Sequence, residues 1–164
     1  MTATKEISVD YLREKFRYDP ATGELFHRPS GRHVGAPSKG YLKLNLLGTT
    51  RTAHRVAWAL YYGEWPRLQV DHLDRDRSNN RIENLRLASP SQNNMNMGVK
   101  GAVKAKGVSL DAKRRKFKAE IKLNGVTRFL GYFESVDEAA HAYNKAAIQY
   151  FGDFACLNPI GEDK

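Results

Sequence analysis

An α+β chain of two small modules is what this sequence predicts, on three observations. Two short strand candidates, residues 68–71 and 85–87, flank a polar loop and are followed by Ser89-Pro90-Ser91-Gln92, a helix start with a cap, a proline in the first helical position and a glutamine three residues after the cap. Nearer the C-terminus Phe117, Ala119, Ile121 and Leu123 alternate with Lys118, Glu120 and Lys122 and run into Asn124-Gly125, the strongest short hairpin signal. Between these lies NMGVKGAVKAKG, with glycines and lysines but no apolar period. The expected division is a first module over 1–95, a linker over 96–105 and a second module over 106–160. With 164 residues, 41% of them hydrophobic, the chain has the length and apolar content for two small cores.

The first module begins with a short helix over 8–18, capped by Ser8, with Val9, Leu12 and Phe16 on one stripe. The turn Asp19-Pro20-Ala21-Thr22-Gly23 stops it. From Gly40 the pattern GYLKLNLLG predicts an extended run ending at Gly48, returning through TTRTAH as a hairpin. His54 to Tyr62 is apolar almost all round and reads as a buried helix ended by Gly63, with Pro66 beyond. Strand, polar loop, strand and helix then form a frame on which Asp71, His72 and Asn93 can converge. In the second module the strand VTRFLGYF returns after Asn124-Gly125, and Ser135-Val136-Asp137-Glu138 is a capping box. It opens a helix with Val136, Ala139, Ala140, Tyr143, Ala147 and Tyr150 on one stripe and Gly152 as its stop.

A formal charge of +9 makes a polyanion, nucleic acid first, the expected partner, because each neutralised phosphate releases a condensed counterion. The opening MTATKEISVD has no apolar stretch for a signal peptide, and no run approaches bilayer length, so no membrane partner is expected. Cys156 is the only cysteine: no intramolecular disulfide and no multi-cysteine zinc site can form. A reducing, cytoplasmic setting fits, and beside Phe154 and Leu157 this cysteine reads as a small buried residue. His27, His33 and His141 have no partner motif. Asp74, Asp76 and Ser78 imitate the opening of an EF-hand loop, but the required glycine is Asn79 and the closing glutamate is Leu85.

The pattern that carries chemistry is Asp71-His72, then Asn84, then Asn93, within VDHLDRDRSNNRIENLRLASPSQNN. Together with His54-Arg55 and the NNRIENLR string, it resembles the HNH endonuclease family, in particular its phage and homing varieties, over about Gly40 to Asn96. The resemblance implies a ββα-metal (His-Me finger) fold. It implies His72 as the general base, a task suited to an imidazole, and Asn84 as the residue that braces the loop and so holds the histidine. Asp71 and Asn93 are implied as metal ligands. An asparagine stands at 93 where a histidine is common in the family. Two hard oxygen donors favour Mg²⁺ or Mn²⁺ over zinc and imply weak metal binding without DNA. Arg75 and Arg77 are weaker candidates for touching the DNA backbone, and His54 and Arg55 for supporting the site or a phosphate.

From about Lys106 to Pro159, KGV, KFKAEIKLNG, FLGYF, EAAHAYNKAA and the closing Leu157-Asn158 resemble the plant ethylene-response-factor (apetala-type) DNA-binding domain. That resemblance implies a three-stranded antiparallel sheet, packed on one helix, that reads the major groove. Its candidate DNA-binding residues are Lys106, Lys113, Arg114, Arg115, Lys116, Lys118, Lys122, Thr127 and Phe129. The alternation places Lys118, Glu120 and Lys122 opposite the helix-facing side chains, and a two-residue hairpin adds Thr127 and Phe129 to that outer face. Relatives carry Trp at Phe129 and Arg near Ser109, Lys122 and Thr127, so looser sequence specificity is expected here.

The combined expectation is a divalent-metal-dependent endonuclease acting on double-stranded DNA, targeted by a C-terminal sheet, acting as monomer or homodimer in a bacterial cytoplasm if phage-encoded. The alternatives are a non-catalytic DNA-binding regulator with a vestigial nuclease centre and, more distantly, an RNA-processing nuclease.

Overall fold

The computed structural model describes residues 7–99 and 103–160. Part of the opening decapeptide read for a signal sequence and residues 100–102 of the expected linker lie outside the described residues. The chain divides into two units, residues 1–89 and 90–164.

In the first unit, helix α1 (Val9–Lys15) starts where the sequence places it: Ser8 Oγ accepts from the Tyr11 amide at 3.1 Å. It ends at Lys15, three residues short of the expected limit. Phe16–Tyr18 (β1) instead pairs antiparallel with Leu25–His27 (β2), Phe16 facing His27. The turn between them is the one expected, with Asp19 Oδ1 accepting from Ala21 N at 3.0 Å. Strands of three residues are too short to show a period, which is why the sequence reveals the turn but not the strands.

A three-stranded antiparallel sheet follows, β3 (Ala36–Ser38), β4 (Tyr41–Leu46) and β5 (Thr49–Thr52), in that spatial order. The expected hairpin is β4–β5, closed by Leu47 and Gly48 at φ 50° and 80°. Helix α2 (Ala53–Tyr62) ends on Gly63 in the left-handed conformation at φ 80°. Burial all round is not what α2 shows. Ala53, Val56, Ala57 and Ala59 are buried, but Tyr61 and Tyr62 are about half exposed, so only one stripe faces the core. That core holds Leu12, Phe16, Leu25, Leu44, Leu46, Val56 and Ala59.

Strands β6 (Gln69–His72) and β7 (Leu85–Ala88) form an antiparallel pair with Asp71 opposite Arg86 and His72 opposite Leu85. Ala57 of α2 packs with Val70 and Leu85, so the helix backs this pair and sets His54, one turn earlier, beside its end.

In the second unit, helix α3 (Pro90–Asn96) begins at the proline as expected. Strands β8 (Val108–Asp111), β9 (Lys116–Leu123) and β10 (Val126–Phe133) make an antiparallel sheet with β9 in the middle. Asn124 and Gly125, at φ 50° and 84°, close the two-residue hairpin. A bulge between Phe129 and Gly131 shifts the register, so that Phe129 faces Glu120 while Tyr132 faces Lys118.

Helix α4 (Val136–Phe151) opens on Ser135, whose Oγ accepts from Glu138 N at 3.1 Å. Ala139, Ala140, Tyr143, Ala146 and Ala147 bury against the sheet. Tyr150, expected on that stripe, is largely exposed, and Phe151 takes the buried place as the helix turns into its Gly152 cap. Gly107 is required: a Cβ there would lie 2.1 Å from the Tyr143 ring. Cys156 is buried, as its neighbours suggest.

The ends of the expected linker are packed into this unit. Asn96 and Ala105 are buried, Ala105 within the cluster of Val108, Ala119 and Ala140. Buried Asn144 exchanges hydrogen bonds of 2.8 and 2.9 Å with the Asn158 backbone, and the Asn158 side chain in turn clasps the Lys106 backbone. Small residues without a period can be core as readily as linker, and composition does not separate the two.

Candidate active site

The site is built around the end of β6 and the loop from it to β7. Asp71 and His72 are both buried, an unusual state for a carboxylate and an imidazole that must be matched by partners. For Asp71 the partner is Arg86 across the ladder, whose Nε and Nη2 both donate to Oδ2 at 3.0 and 2.9 Å. For His72 it is Asn80, with Nε2 and Oδ1 3.2 Å apart.

Asn84 sits in a short 3-10 turn (Ile82–Asn84) and bonds within the loop. Its Nδ2 donates to Asp74 Oδ1 at 2.9 Å and to Asn79 O at 2.8 Å, and its Oδ1 accepts from Asp74 N at 3.0 Å. The loop is therefore cross-linked by one amide. Asp74 also accepts from Asn79 Nδ2 at 2.6 Å, and Asp76 accepts from Ser78 Oγ at 2.6 Å. The two aspartates thus close turns. These amide bonds hold the Asp74 carboxyl below its usual range, against the opposing effect of burial.

Two rings crowd the histidine. His54 lies edge-on to His72 with centroids 5.0 Å apart, and Tyr41 is 6.1 Å from His72 and 5.4 Å from His54. Burial pushes the His72 imidazole below its ordinary pKa, partly offset by the Asn80 hydrogen bond and by Asp74, Asp71 and Asp76. Burial, with His72 and Arg55 nearby, takes His54 down to about 3. Both rings are held neutral, which a general base requires.

The weaker candidates separate. His54 is part of the site's wall. Arg55 donates to Leu68 O and Pro66 O, each at 2.9 Å, and so ties the segment entering β6. The Arg77 guanidinium lies 4.8 Å from the centre of the Tyr41 ring, at the rim of the site. Arg75 is exposed, in the left-handed conformation at φ 68°. His27 meets Ser30 at 3.0 Å, and His33 lies 3.8 Å from Glu24.

The structure thus brings together Asp71, His72 and Asn84 within one unit. Asn93 stands in the first turn of α3, half-buried, in the other unit. Among the described residues no group of three or more His, Cys, Asp or Glu side chains could hold a metal ion. Asp71 offers a carboxylate oriented by Arg86, a donor of the kind hard divalent cations take.

On the second unit the outer sheet face carries Lys118, Glu120, Lys122, Thr127 and Phe129, as the alternation predicts, with Phe129 more than half exposed. Tyr132 joins them, its ring 5.0 Å from Phe129. The sequence misses it because the bulge reverses the parity of β10 after Phe129. Several of the expected cations have partners of their own. Arg114 pairs with Asp111 at 3.0 Å and lies 5.0 Å from the Tyr132 ring. Lys116 meets Glu134 at 2.7 Å, and Lys118 meets Glu120 at 2.8 Å. Lys113, Arg115 and Lys122 are exposed. Lys106 is a correction: its ammonium donates to the carbonyls of Met95 and Met97 at the end of α3, so it secures the helix rather than presenting charge outward.

Residues 51–95 match the model of a family described as HNH endonuclease. A curated relative, an uncharacterized HNH endonuclease of Acanthamoeba polyphaga mimivirus, is 36% identical over 109 residues, which cover 65% of this chain and 57% of that protein. The chain thus spans little more than half the length of that relative. Among solved structures, one titled DNA binding and cleavage by the HNH homing endonuclease I-HmuI aligns over 88% of this chain and 90% of its own at 21% identity, with a TM-score of 0.44. The family match encloses Asp71, His72, Asn84 and Asn93 and runs past the boundary between the two units at 89/90.

Proposed function

We propose that the chain is an HNH endonuclease that hydrolyses phosphodiester bonds of double-stranded DNA. The observation that carries this reading is the buried His72, kept neutral and held by Asn80 at the end of a strand that also presents Asp71. His72 accepts the proton of the attacking water at its lone-pair nitrogen. Asn84 keeps the loop over it from opening, and the surrounding His54 and Tyr41 limit water around the ring. Asp71 would hold Mg²⁺ or Mn²⁺; Asn93, the other ligand the resemblance implies, stands on α3. Such an ion, when bound, supplies positive charge where the attacked phosphate and the departing 3′ oxygen become more negative. Cleavage leaves a 5′ phosphate and a 3′ hydroxyl.

The outer face of the β8–β9–β10 sheet is the proposed targeting surface, with Lys122 and Lys118 for phosphates and the Phe129–Tyr132 pair for apolar contact in a groove. The small and unforked side chains at Ser109, Lys122 and Thr127 favour loose sequence preference. One observation favours the alternative of a DNA-binding regulator: the Asp71 carboxylate is already engaged by Arg86, as it would be in a vestigial centre.

Supercoiled plasmid separates the two readings. With Mg²⁺ the wild-type chain should relax or linearise it, with EDTA it should not, and His72→Ala should lose cutting while its DNA affinity stays within a few-fold. A wild-type chain that binds duplex but leaves it intact in both Mg²⁺ and Mn²⁺ would sink the nuclease reading.

A further inference from the structure

We infer that Asn80 is a positioning residue for His72: its side-chain carbonyl selects the imidazole tautomer protonated at Nε2, and the N-terminal β1–β2 hairpin holds Asn80 in place to do so. The tautomer itself does not depend on what the site cleaves, although its catalytic meaning rests on the endonuclease reading.

The contact is between His72 Nε2 and Asn80 Oδ1 at 3.2 Å, with Asn80 only 1% exposed. An amide oxygen only accepts, so with Oδ1 toward the ring it is Nε2 that carries the hydrogen, and the lone pair is then at Nδ1. Nδ1 becomes the atom that takes a proton from water. A carboxylate in this place would also fix the tautomer, but it would add a negative charge inside a buried site; an amide fixes it without one.

Asn80 is held from the N-terminal side of the fold. The Tyr18 hydroxyl, at the end of β1, donates to Asn80 O at 2.7 Å, and Ile82 N donates to Pro20 O at 3.2 Å. The turn at Gly23 lies flat against the following peptide: a Cβ on Gly23 would stand 2.5 Å from Arg81 N and 2.6 Å from the Asn80 carbonyl carbon. Of the loop's asparagines, Asn79 and Asn84 spend their side chains on Asp74 and the loop backbone, whereas Asn80 aims at the histidine. Its Nδ2 is buried with no hydrogen-bond partner among the described residues. The β1–β2 hairpin is the element the sequence did not reveal, and this is a role for it.

The full-length chain, labelled with 15N-histidine and held at about pH 8 so that the rings are neutral, reports the tautomer directly through two-bond proton–nitrogen correlations. Expected for His72 is a single Nε2–H pattern, which Asn80→Asp preserves and Asn80→Leu turns into the averaged pattern of a free imidazole. Cleavage by Asn80→Leu should fall about 10–100-fold in kcat with KM for DNA unchanged, and Tyr18→Phe should fall less. A wild-type spectrum with Nδ1–H, as a reversed Asn80 amide donating to Nε2 would impose, overturns the inference, and so does an averaged wild-type pattern. Because the wild-type spectrum decides, a failure of Asn80→Leu to fold does not rescue it. If the spectrum is as expected and the wild type cuts no DNA, the endonuclease reading fails and the positioning role stands.

Discussion

The loop between β6 and β7 and the outer face of the C-terminal sheet are both rich in polar side chains, yet they are stabilised in opposite ways. In the loop, Asp71, His72, Asn80 and Asn84 are buried, and each is held by partners that are remote in sequence or on the facing strand. On the sheet, Lys118, Glu120, Lys122, Thr127 and Phe129 project side by side from neighbouring strands and largely face water. A buried polar network loses more than one bond's worth when a member is removed, because the remaining partners are stranded without solvent. An exposed row loses little per residue and is screened by salt. Single substitutions should therefore act on chemistry and folding in the first region, and in graded, salt-dependent fashion on binding in the second.

The largest effect is expected where the network meets the reaction. His72→Ala should lower the single-turnover cleavage rate by about 10²–10⁴-fold, measured at saturating DNA so that binding does not contribute. The contrast breaks if an alanine on the sheet face, such as Phe129→Ala, costs as much under those conditions. Next is Asn84→Ala, which removes three side-chain hydrogen bonds and with them the cross-link between Asp74 and the Asn79 backbone. Urea unfolding should show a loss of about 2–4 kcal/mol, and the N-terminal unit should account for it in hydrogen exchange.

On the sheet the expected effects are smaller and differ between two neighbouring lysines. Lys122→Ala should reduce the slope of log affinity against log salt by about 0.9, the share of one phosphate contact. Lys118→Ala should reduce it by less, since Glu120 already holds that ammonium at 2.8 Å and raises its pKa. Glu120→Gln should then tighten DNA binding by freeing Lys118. Equal slopes for the two lysine variants would show that the Glu120 pair does not persist on DNA.

The same contrast explains what the sequence disclosed. The sheet face was legible because strand parity is local: alternation over 116–123 and a two-residue turn suffice to place Thr127 and Phe129. Parity failed at Tyr132, where one bulged residue reverses it. In the site, Asp71, His72 and Asn84 were visible as a spaced pattern, and the polar loop around them was visible as composition. Asn80, Tyr41 and Arg86 were not assigned, although Asn80 stands in the very string NNRIENLR that drew attention. Their roles depend on contacts across 8 to 31 positions of chain, which no local period encodes. Lys106 misled for the related reason that a lysine's charge is visible in sequence but the carbonyls that consume it are not.

His54 offers the finest test of the buried region, because it is in the wall of the site and has no assigned part in the chemistry. Its folded-state pKa is depressed to about 3 against an ordinary 6.5, through burial first and then the neighbouring His72 and Arg55. The unfolded chain therefore binds more protons than the folded one between those values, and stability must rise with pH across that window. Above pH 6.5 the contribution is complete; as the medium is acidified it is withdrawn by up to about 1.4 kcal/mol per pH unit, and the loss levels off near the folded value. His54→Gln removes that proton from the balance. Its unfolding free energy should fall less steeply than the wild type's between about pH 6 and pH 4, with the remaining slope carried by His72, which burial also depresses. Parallel curves for the two proteins would mean that His54 is solvated in the folded chain, and the wall it forms beside His72 would then be open to water.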